Sequence, residues 1–376
     1  MDQIRVGIVG MGNMGTSHAD TLAQGKVKGA KLTAICDSFP GVLARHRDRY
    51  GEEVLRFTDL DSLLDSGAVD GVIVATPHLD HPAAAVRAFS RGLHVLIEKP
   101  AGVYTKQVRE MNEAAAAAGA VFGIMLNQRL HPAYSKLREL VQAGELGELR
   151  RTNWAVTHWY RAQRYYDSAP WRGTWEGEGG GVLLNQALHQ LDLWQWVTGL
   201  KPQRVRAFAQ FGQRRDIQVE HDVTAYVEYN GGATGVFIAS TTEAPGTNRL
   251  ELSGTRGKAV VEEDRLTLWQ LRQEEPEFNR TFTGGFGAPK SWRIDIPVGP
   301  CTRKQHGGLI QNWVDAVLTG SPLLAPGEDG LHAVTLVNAM LLSAWTDDWA
   351  VLPLDEEQYV SLLKQRMTQS SGQAEG

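Results

Sequence analysis

The stretch Ile4–Gly15, IRVGIVGMGNMG, decides how the chain is read. Its first half, Ile4–Val9, is an apolar, β-branched run and predicts a buried strand. Its second half sets glycines at positions 10, 12 and 15, and Thr16–Gln24 follows with helical character. Strand, G-x-G-x-x-G turn and helix in that order make a dinucleotide cradle. The first glycine permits the tight turn, the second lets the backbone approach a pyrophosphate, and the third lets helix and strand pack closely. The helix N-terminus adds unpaired N–H groups and the positive end of a dipole. Gly10, Met11, Gly12, Asn13, Met14 and Gly15 are therefore candidate cofactor contacts. The plain alternative is a glycine-rich turn; the strand before it and the helix after it favour the cradle.

A second apolar run, Lys31–Cys36, ends at Asp37, 22 residues beyond Gly15. A carboxylate there can accept both adenosine ribose hydroxyls and would repel a 2′-phosphate. No basic residue follows before Arg45, so NAD is favoured over NADP. Asp37 can instead cap the next helix, a task equally open to Ser38, which stands beside it as a further contact candidate.

Outward from this stretch, apolar runs and helical segments alternate up to about residue 126. Gly71–Ala75, His94–Ile97 and Val121–Leu126 read as strands. Gly41–Arg49, Leu60–Leu64, Ala83–Phe89 and Lys106–Ala118 read as helices. Continuous rather than alternating apolar runs are the mark of parallel strands covered on both faces. The expected fold is α/β: a doubly wound parallel Rossmann sheet over residues 1–126. From 127 to 364 the pattern changes to an α+β domain with a large, mostly antiparallel open sheet. Helices are expected over Tyr134–Ala143 and Leu183–Val197, a strand over Arg151–Tyr160, and a hairpin at Asn230-Gly231-Gly232. Residues 365–376 lack apolar anchors and read as a flexible tail.

With 376 residues, 42% of them hydrophobic, and a net charge of −5, the chain has the composition of a two-domain globular protein. Nothing basic enough for nucleic acid is present, and no apolar run approaches the roughly 20 residues that span a bilayer. Two cysteines, Cys36 and Cys301, are too few for a zinc cluster and fit a reducing compartment. No metal is expected, and the expected location is cytoplasmic.

Two strand ends carry chemistry-bearing residues. Thr76-Pro77-His78 closes the third strand and Glu98-Lys99-Pro100 the fourth, both where open α/β sheets bind ligands. Thr76, Pro77, His78, Glu98 and Lys99 are candidate cofactor contacts. Lys99 can hydrogen-bond a substrate hydroxyl or carry its proton, or be a surface lysine. Asn127-Gln128-Arg129 follows the fifth strand; Asn127 is a further cofactor candidate. In Gly179-Gly180-Gly181-Val182-Leu183-Leu184-Asn185-Gln186-Ala187-Leu188-His189-Gln190-Leu191-Asp192, an uninterrupted helix puts Asn185, His189 and Asp192 on one face. His189 can act as general acid–base, its pKa lying near neutrality; a satisfied core histidine is the alternative.

Taken together, the glycine fingerprint, Thr76-Pro77 with His81 shortly after, Glu98-Lys99-Pro100 and the GGG…Asn185…His189…Asp192 segment resemble the Gfo/Idh/MocA oxidoreductase family. The resemblance spans about residues 3 to 350. It implies NAD(P)-dependent oxidation or reduction of a sugar, cyclitol or related carbonyl compound, and an open C-terminal sheet that mediates a homodimer or homotetramer. It also implies that Lys99 contacts the reacting hydroxyl, that the Lys99–Pro100 bond is cis, that His81 belongs to the cofactor site, and that Gln128 touches substrate. Inositol dehydrogenase-like members carry Asp where Asn185 stands. An amide cannot take a proton, so Lys99 and His189 share the proton handling, Asn185 orients the substrate, and either Asp192 or Asn185 orients His189.

Six of the eleven tryptophans lie between Trp154 and Trp196. The segment from His158 to Glu176 mixes aromatic faces, which pack on sugar C–H faces, with groups that bind hydroxyls. His158, Tyr160, Arg161 and Trp175 are candidate substrate contacts, beside Lys99, Gln128, Asn185 and His189. Arg172 can reach cofactor phosphates. His306 either closes the pocket or starts a helix, and Cys301 has no assigned role. The expected function is NAD-dependent hydride transfer at a ring hydroxyl of a glycoside, sugar or inositol. The alternatives are a non-catalytic NAD(P)- and sugar-binding regulator and, less favoured, reduction of an imine or tetrapyrrole.

Overall fold

The computed structural model describes residues 2–300 and 305–373; Cys301 lies outside them. The chain divides into two compact units. The first comprises residues 1–129, 177–179 and 303–334; the second comprises 130–176, 180–302 and 335–376.

The first unit is built on six strands: β1 (Ile4–Val9), β2 (Ala30–Cys36), β3 (Leu55–Phe57), β4 (Gly71–Val74), β5 (His94–Ile97) and β6 (Phe122–Ile124). They pair in the order β3-β2-β1-β4-β5-β6, every pair parallel. This is the doubly wound Rossmann order, and it reverses between β1 and β4, where ligands of such sheets bind. Ile4, Val6, Ile8, Val72, Ile73, Val95 and Ile97 are fully buried, as their unbroken apolar runs predict. The helix Asn13–Ala23 follows β1, starting three residues earlier than expected. The helix expected over Gly41–Arg49 is two short pieces, Pro40–Arg45 and Arg47–Tyr50. The helix Gln305–Thr319, expected in the second domain, belongs to the first unit, where Leu309, Ile310, Trp313 and Val314 complete the core.

The second unit holds β7 (Leu149–Val156), β8 (Pro202–Phe211), β9 (Glu220–Tyr229), β10 (Thr234–Ser240), β11 (Asn248–Gly254), β12 (Gly257–Glu262), β13 (Arg265–Leu271), β14 (Ser291–Ile296) and β15 (Ala350–Val351). They form one sheet in the order β14-β13-β12-β11-β7-β10-β9-β8-β15. Only the β7–β10 pair is parallel. The turn at Asn230-Gly231-Gly232 joins β9 to β10 as an antiparallel hairpin. Inward residues of β9, Val223, Ala225 and Val227, are buried, and Trp194 packs against Tyr229 and Phe237. On the other face Phe208 of β8 and Tyr226 of β9 stay exposed, so that face of the sheet is open there in this chain. The helix Glu356–Gln373 runs well into the segment expected to be a tail.

Candidate functional site

The glycine turn follows from sterics. Gly10 has φ +90°, and a Cβ there would stand 2.6 Å from the Ala75 carbonyl oxygen. A Cβ on Gly15 would collide with the Gly10 carbonyl. Gly12 has open space on its Cβ side. Two glycines thus close the turn against β4, while the third keeps one side clear. Gly12 also starts the helix Asn13–Ala23 with no side-chain cap, so the first-turn amides lack a side-chain partner. Gly12, Asn13 and Met14 are exposed there. An open, uncapped helix start is the surface a pyrophosphate needs.

Asp37 sits at the end of β2, as expected, and ties the turn down. Its Oδ2 accepts the Met11 amide at 2.9 Å and its Oδ1 the Phe39 amide at 2.9 Å. Each oxygen keeps a lone pair for a ribose hydroxyl. Met11 differs from expectation: its side chain is buried and its amide is committed to Asp37, so it shapes the turn. Ser38 is exposed. The thiol of Cys36, buried beside Asp37, is pushed up to about 12 by burial and by the negative charge of Asp37, which leaves it unreactive.

Beyond β4 and β5, the strand-end residues make a connected set. His81 is buried, with Nε2 2.7 Å from the Thr76 carbonyl and Nδ1 2.7 Å from the Pro100 carbonyl. Both ring nitrogens are therefore engaged by backbone. His81 clamps the two loops together instead of meeting a ligand, which corrects its assignment as a cofactor contact. His78 is half-buried, and its Nδ1 faces the Glu178 carbonyl at 3.1 Å. Burial, then the charges of His81 and Lys99, push it down to about 3, so it stays neutral. Lys99 is half-buried, and the Lys99–Pro100 peptide is cis.

Glu98 also departs from expectation. It is buried, its Oε1 2.7 Å from Nε2 of His18 and its Oε2 accepting the Lys99 amide at 3.0 Å. Burial works to raise its pKa, but the His18 hydrogen bond and the charges of His18, Lys99 and His306 outweigh it and hold the carboxyl at about 2. Glu98 is thus an internal brace for Lys99. The ring of His306 lies 5.9 Å from that of His18, and its Nδ1 accepts from Asn127 Nδ2 at 3.4 Å. His306 therefore joins this cluster. Sequence reasoning missed His18; its signal was a histidine one helical turn past Gly15. Thr76 Oγ1 and Asn127 Oδ1 are buried without a hydrogen-bond partner among the described residues. Such orphaned atoms invite a ligand, and they lie at strand ends of the cradle sheet. Gln128 is half-buried; Arg129 is a buried clamp, its Nη1 2.6 Å from Asp329 Oδ2.

In the second unit, the helix expected over Leu183–Val197 is broken. Val182–Gln186 is a wide π turn, closed by the Ala187 amide on the Val182 carbonyl at 2.7 Å; an α-helix runs from Leu188 to Thr198. The shared-face argument needs an unbroken α-helix, so it holds for His189 and Asp192 but not for Asn185. The start of the π turn is held by Glu220 of β9, absent from the sequence reading. Its buried carboxylate accepts the amides of Gly181 and Leu183 at 2.9 and 3.0 Å. A Cβ on Gly181 would clash with the Glu220 carbonyl.

Asn185 donates to the Tyr165 hydroxyl at 3.3 Å, where Gln186 (3.4 Å) and Arg172 (2.5 Å) also converge. His158 and Tyr160 are exposed, Arg161 half-buried. Trp175 is not a pocket residue: it is buried at 3% exposure, edge-on to Trp345 and near Phe211. Its large apolar surface is spent in the core. Asn185, His189, Arg161 and Arg172 thus belong to the second unit, whereas Lys99, Asp37, Gln128 and the glycine turn belong to the first.

A family model described as an oxidoreductase family with an NAD-binding Rossmann fold matches residues 4–126. Another, described as a GFO/IDH/MocA C-terminal domain, matches residues 134–260. The rhizopine catabolism protein MocA of Rhizobium meliloti is 28% identical, over 55% of this chain and 61% of its own length. The chain therefore spans less than two thirds of that relative. The myo-inositol 2-dehydrogenase of Thermotoga maritima is 25% identical, over 89% of this chain and 94% of its own. Among solved structures, the WlbA dehydrogenase of Bordetella pertussis, in complex with NADH and UDP-GlcNAcA, is similar at TM-score 0.79 and 26% identity, covering 94% of this chain and 100% of that one.

Proposed function

We propose, from the premise that this chain belongs to the Gfo/Idh/MocA family of oxidoreductases, that it moves a hydride between NAD(H) and a ring hydroxyl or ketone of a sugar, glycoside or inositol. The observation that carries the reading is the open, uncapped helix start at Gly12 with Asp37 at the end of β2. The amides beyond Gly12 would hold the pyrophosphate, Asp37 the adenosine ribose, and Thr76 and Asn127 would offer their unpartnered oxygens. Bound nicotinamide dinucleotide supplies the hydride acceptor or donor. The carboxylate of Asp37 disfavours a 2′-phosphate, so NAD is the cofactor in this reading.

The rest of the chemistry falls to side chains. Lys99, its backbone braced by ionised Glu98, hydrogen-bonds the reacting hydroxyl. His78 stays neutral, so it adds no second positive charge beside Lys99. His189 is the general base, with Asp192 on the same helix to hold its tautomer. Asn185 orients substrate and takes no proton. The inositol dehydrogenase that matches most of the chain supports a cyclic polyol as substrate.

Two further assignments belong to the same proposal. Exposed Phe208 and Tyr226 on the open face of the second sheet support a homo-oligomer formed through it. The free, buried Cys36 fits a reducing, cytoplasmic setting. Among the described residues, no helix is long and apolar enough to cross a membrane.

The test is a panel of sugars, glycosides and inositols with NAD, followed at the NADH absorbance band. Reduction of NAD with at least one polyol is expected. Cofactor binding with no turnover on any polyol, together with a sugar-dependent protein partner, would favour a regulator of the same fold.

A further inference from the structure

Arg161 and Arg172 are half-buried cations that lack a counter-charge. Among the described residues neither pairs with a carboxylate, and the Nε of each is buried with no hydrogen-bond partner. Arg161 reaches the Tyr160 carbonyl at 3.1 Å, and Arg172 the Tyr165 hydroxyl. A guanidinium taken partly out of water without a paired anion is costly, and unpartnered N–H groups add to that cost. Asp167, in the same loop, accepts instead from Gln163 at 2.9 Å.

Both guanidinium groups lie over one ring. Arg161 is 4.9 Å and Arg172 4.4 Å from the centroid of Tyr165. Stacking uses the flat face of a guanidinium and leaves its N–H edge for bidentate recognition. Asn185, Gln186 and Arg172 crowd the Tyr165 hydroxyl at 3.3, 3.4 and 2.5 Å. Two positive forks, each with an unpartnered Nε–H, therefore seek a partner that only accepts hydrogen bonds and carries negative charge. A sugar hydroxyl, which is both donor and acceptor, meets only half of that requirement.

We propose that Arg161, Arg172 and Tyr165 form a subsite for an anionic group of the substrate, a carboxylate or a phosphate, so that the substrate is an acidic or phosphorylated sugar or cyclitol. The proposal rests on the hydride-transfer reading for the word substrate; the subsite itself does not.

The test is calorimetric titration of the full chain, with NADH present, using matched ligand pairs. The pairs are D-glucuronate and D-glucose 6-phosphate against D-glucose, D-galacturonate against D-galactose, and inositol monophosphate against myo-inositol. At least one acidic member is expected to bind about tenfold or more tighter than its neutral partner. The glucuronate and 6-phosphate arms separate carboxylate from phosphate. R161Q should erase about tenfold of that preference while leaving the Kd for NADH within about twofold, and R172Q should erase a similar share of the preference. Y165F keeps the ring under both guanidinium groups and removes only the hydroxyl that Arg172 bonds, so it should lose less, about threefold. If one arginine variant fails to fold, the other and Y165F carry the measurement. The inference is overturned if no acidic ligand binds tighter than its neutral partner. It is equally overturned if the arginine variants weaken NADH about tenfold and leave the sugar preference intact, which would assign the cations to cofactor phosphates. Acid preference without turnover of any polyol would retain the subsite and remove the dehydrogenase; turnover of neutral sugars with no acid preference would do the reverse.

Discussion

Glu220 grips the amide of Gly181 with both carboxylate oxygens, each at 2.9 Å, and one of them also takes the Leu183 amide at 3.0 Å. The fold uses this buried carboxylate to end a glycine run and start the π turn that carries Asn185. Replacing it by Glu220→Gln leaves one acceptor and places an NH2 group against backbone N–H. Stability should fall by about 1–3 kcal/mol in urea unfolding. In turnover assays kcat/KM should drop with the Kd for NADH unchanged. Unaltered unfolding and kinetics would show that the amides find another acceptor.

The glycines of the turn should separate by function. Gly15→Ala drives a methyl into the Gly10 carbonyl and should cost several degrees of Tm. Gly12→Ala meets open space and should leave Tm nearly unchanged while raising the Kd for NADH about tenfold or more. Normal NADH binding by the Gly12 variant would remove the pyrophosphate from that position.

Asp37→Ala removes the acceptor of the Met11 and Phe39 amides. Affinity for NADH should fall about tenfold, and that for NADPH much less, because the repulsion of a 2′-phosphate goes with the carboxylate. Fluorescence titration of both cofactors decides it; equal losses would mean the ribose is read elsewhere.

Glu98 sets an acid limit. Its carboxyl is held at about 2 in the folded chain against an ordinary 4.5: burial opposes the shift, and the His18 hydrogen bond with nearby positive charge overcomes burial. A folded-state pKa below the unfolded value stabilises above the unfolded pKa and is lost as pH falls through the folded one. The contribution of Glu98 should therefore be whole above about pH 5 and fade toward about pH 2. Unfolding midpoints of wild type and Glu98→Gln should converge over that window. A constant gap would show that Glu98 does not titrate there.

Lys99→Ala should reduce kcat by about a hundredfold or more, the scale of a lost proton-handling group, with cofactor affinity nearly intact. A near-normal rate would remove Lys99 from the chemistry.

Much of this molecule was legible in local pattern. Continuous β-branched runs predicted the parallel strands, and the glycine spacing predicted the turn on which Asp37 closes. The three-residue strand Leu55–Phe57 escaped because it is short and incompletely buried, so its apolar pattern is weak. Trp175 was assigned to a pocket since a sequence shows that an aromatic sits among polar residues, not which way it faces. The same limit hid the roles of His81 and Glu98, each engaged by groups many residues away in sequence or by the backbone of another loop.

The chain's own pattern was enough for the Rossmann sheet, the glycine turn and NAD as the cofactor, because these depend on periodicity and on residues close in sequence. Tertiary structure alone decided that residues 305–334 pack with the first unit, that Glu220 holds the start of the π turn before His189, and that two arginines lie over Tyr165 with no carboxylate paired to them among the described residues. Those outcomes depend on groups brought together from distant parts of the chain, or on side-chain orientation, and neither leaves a period in the sequence.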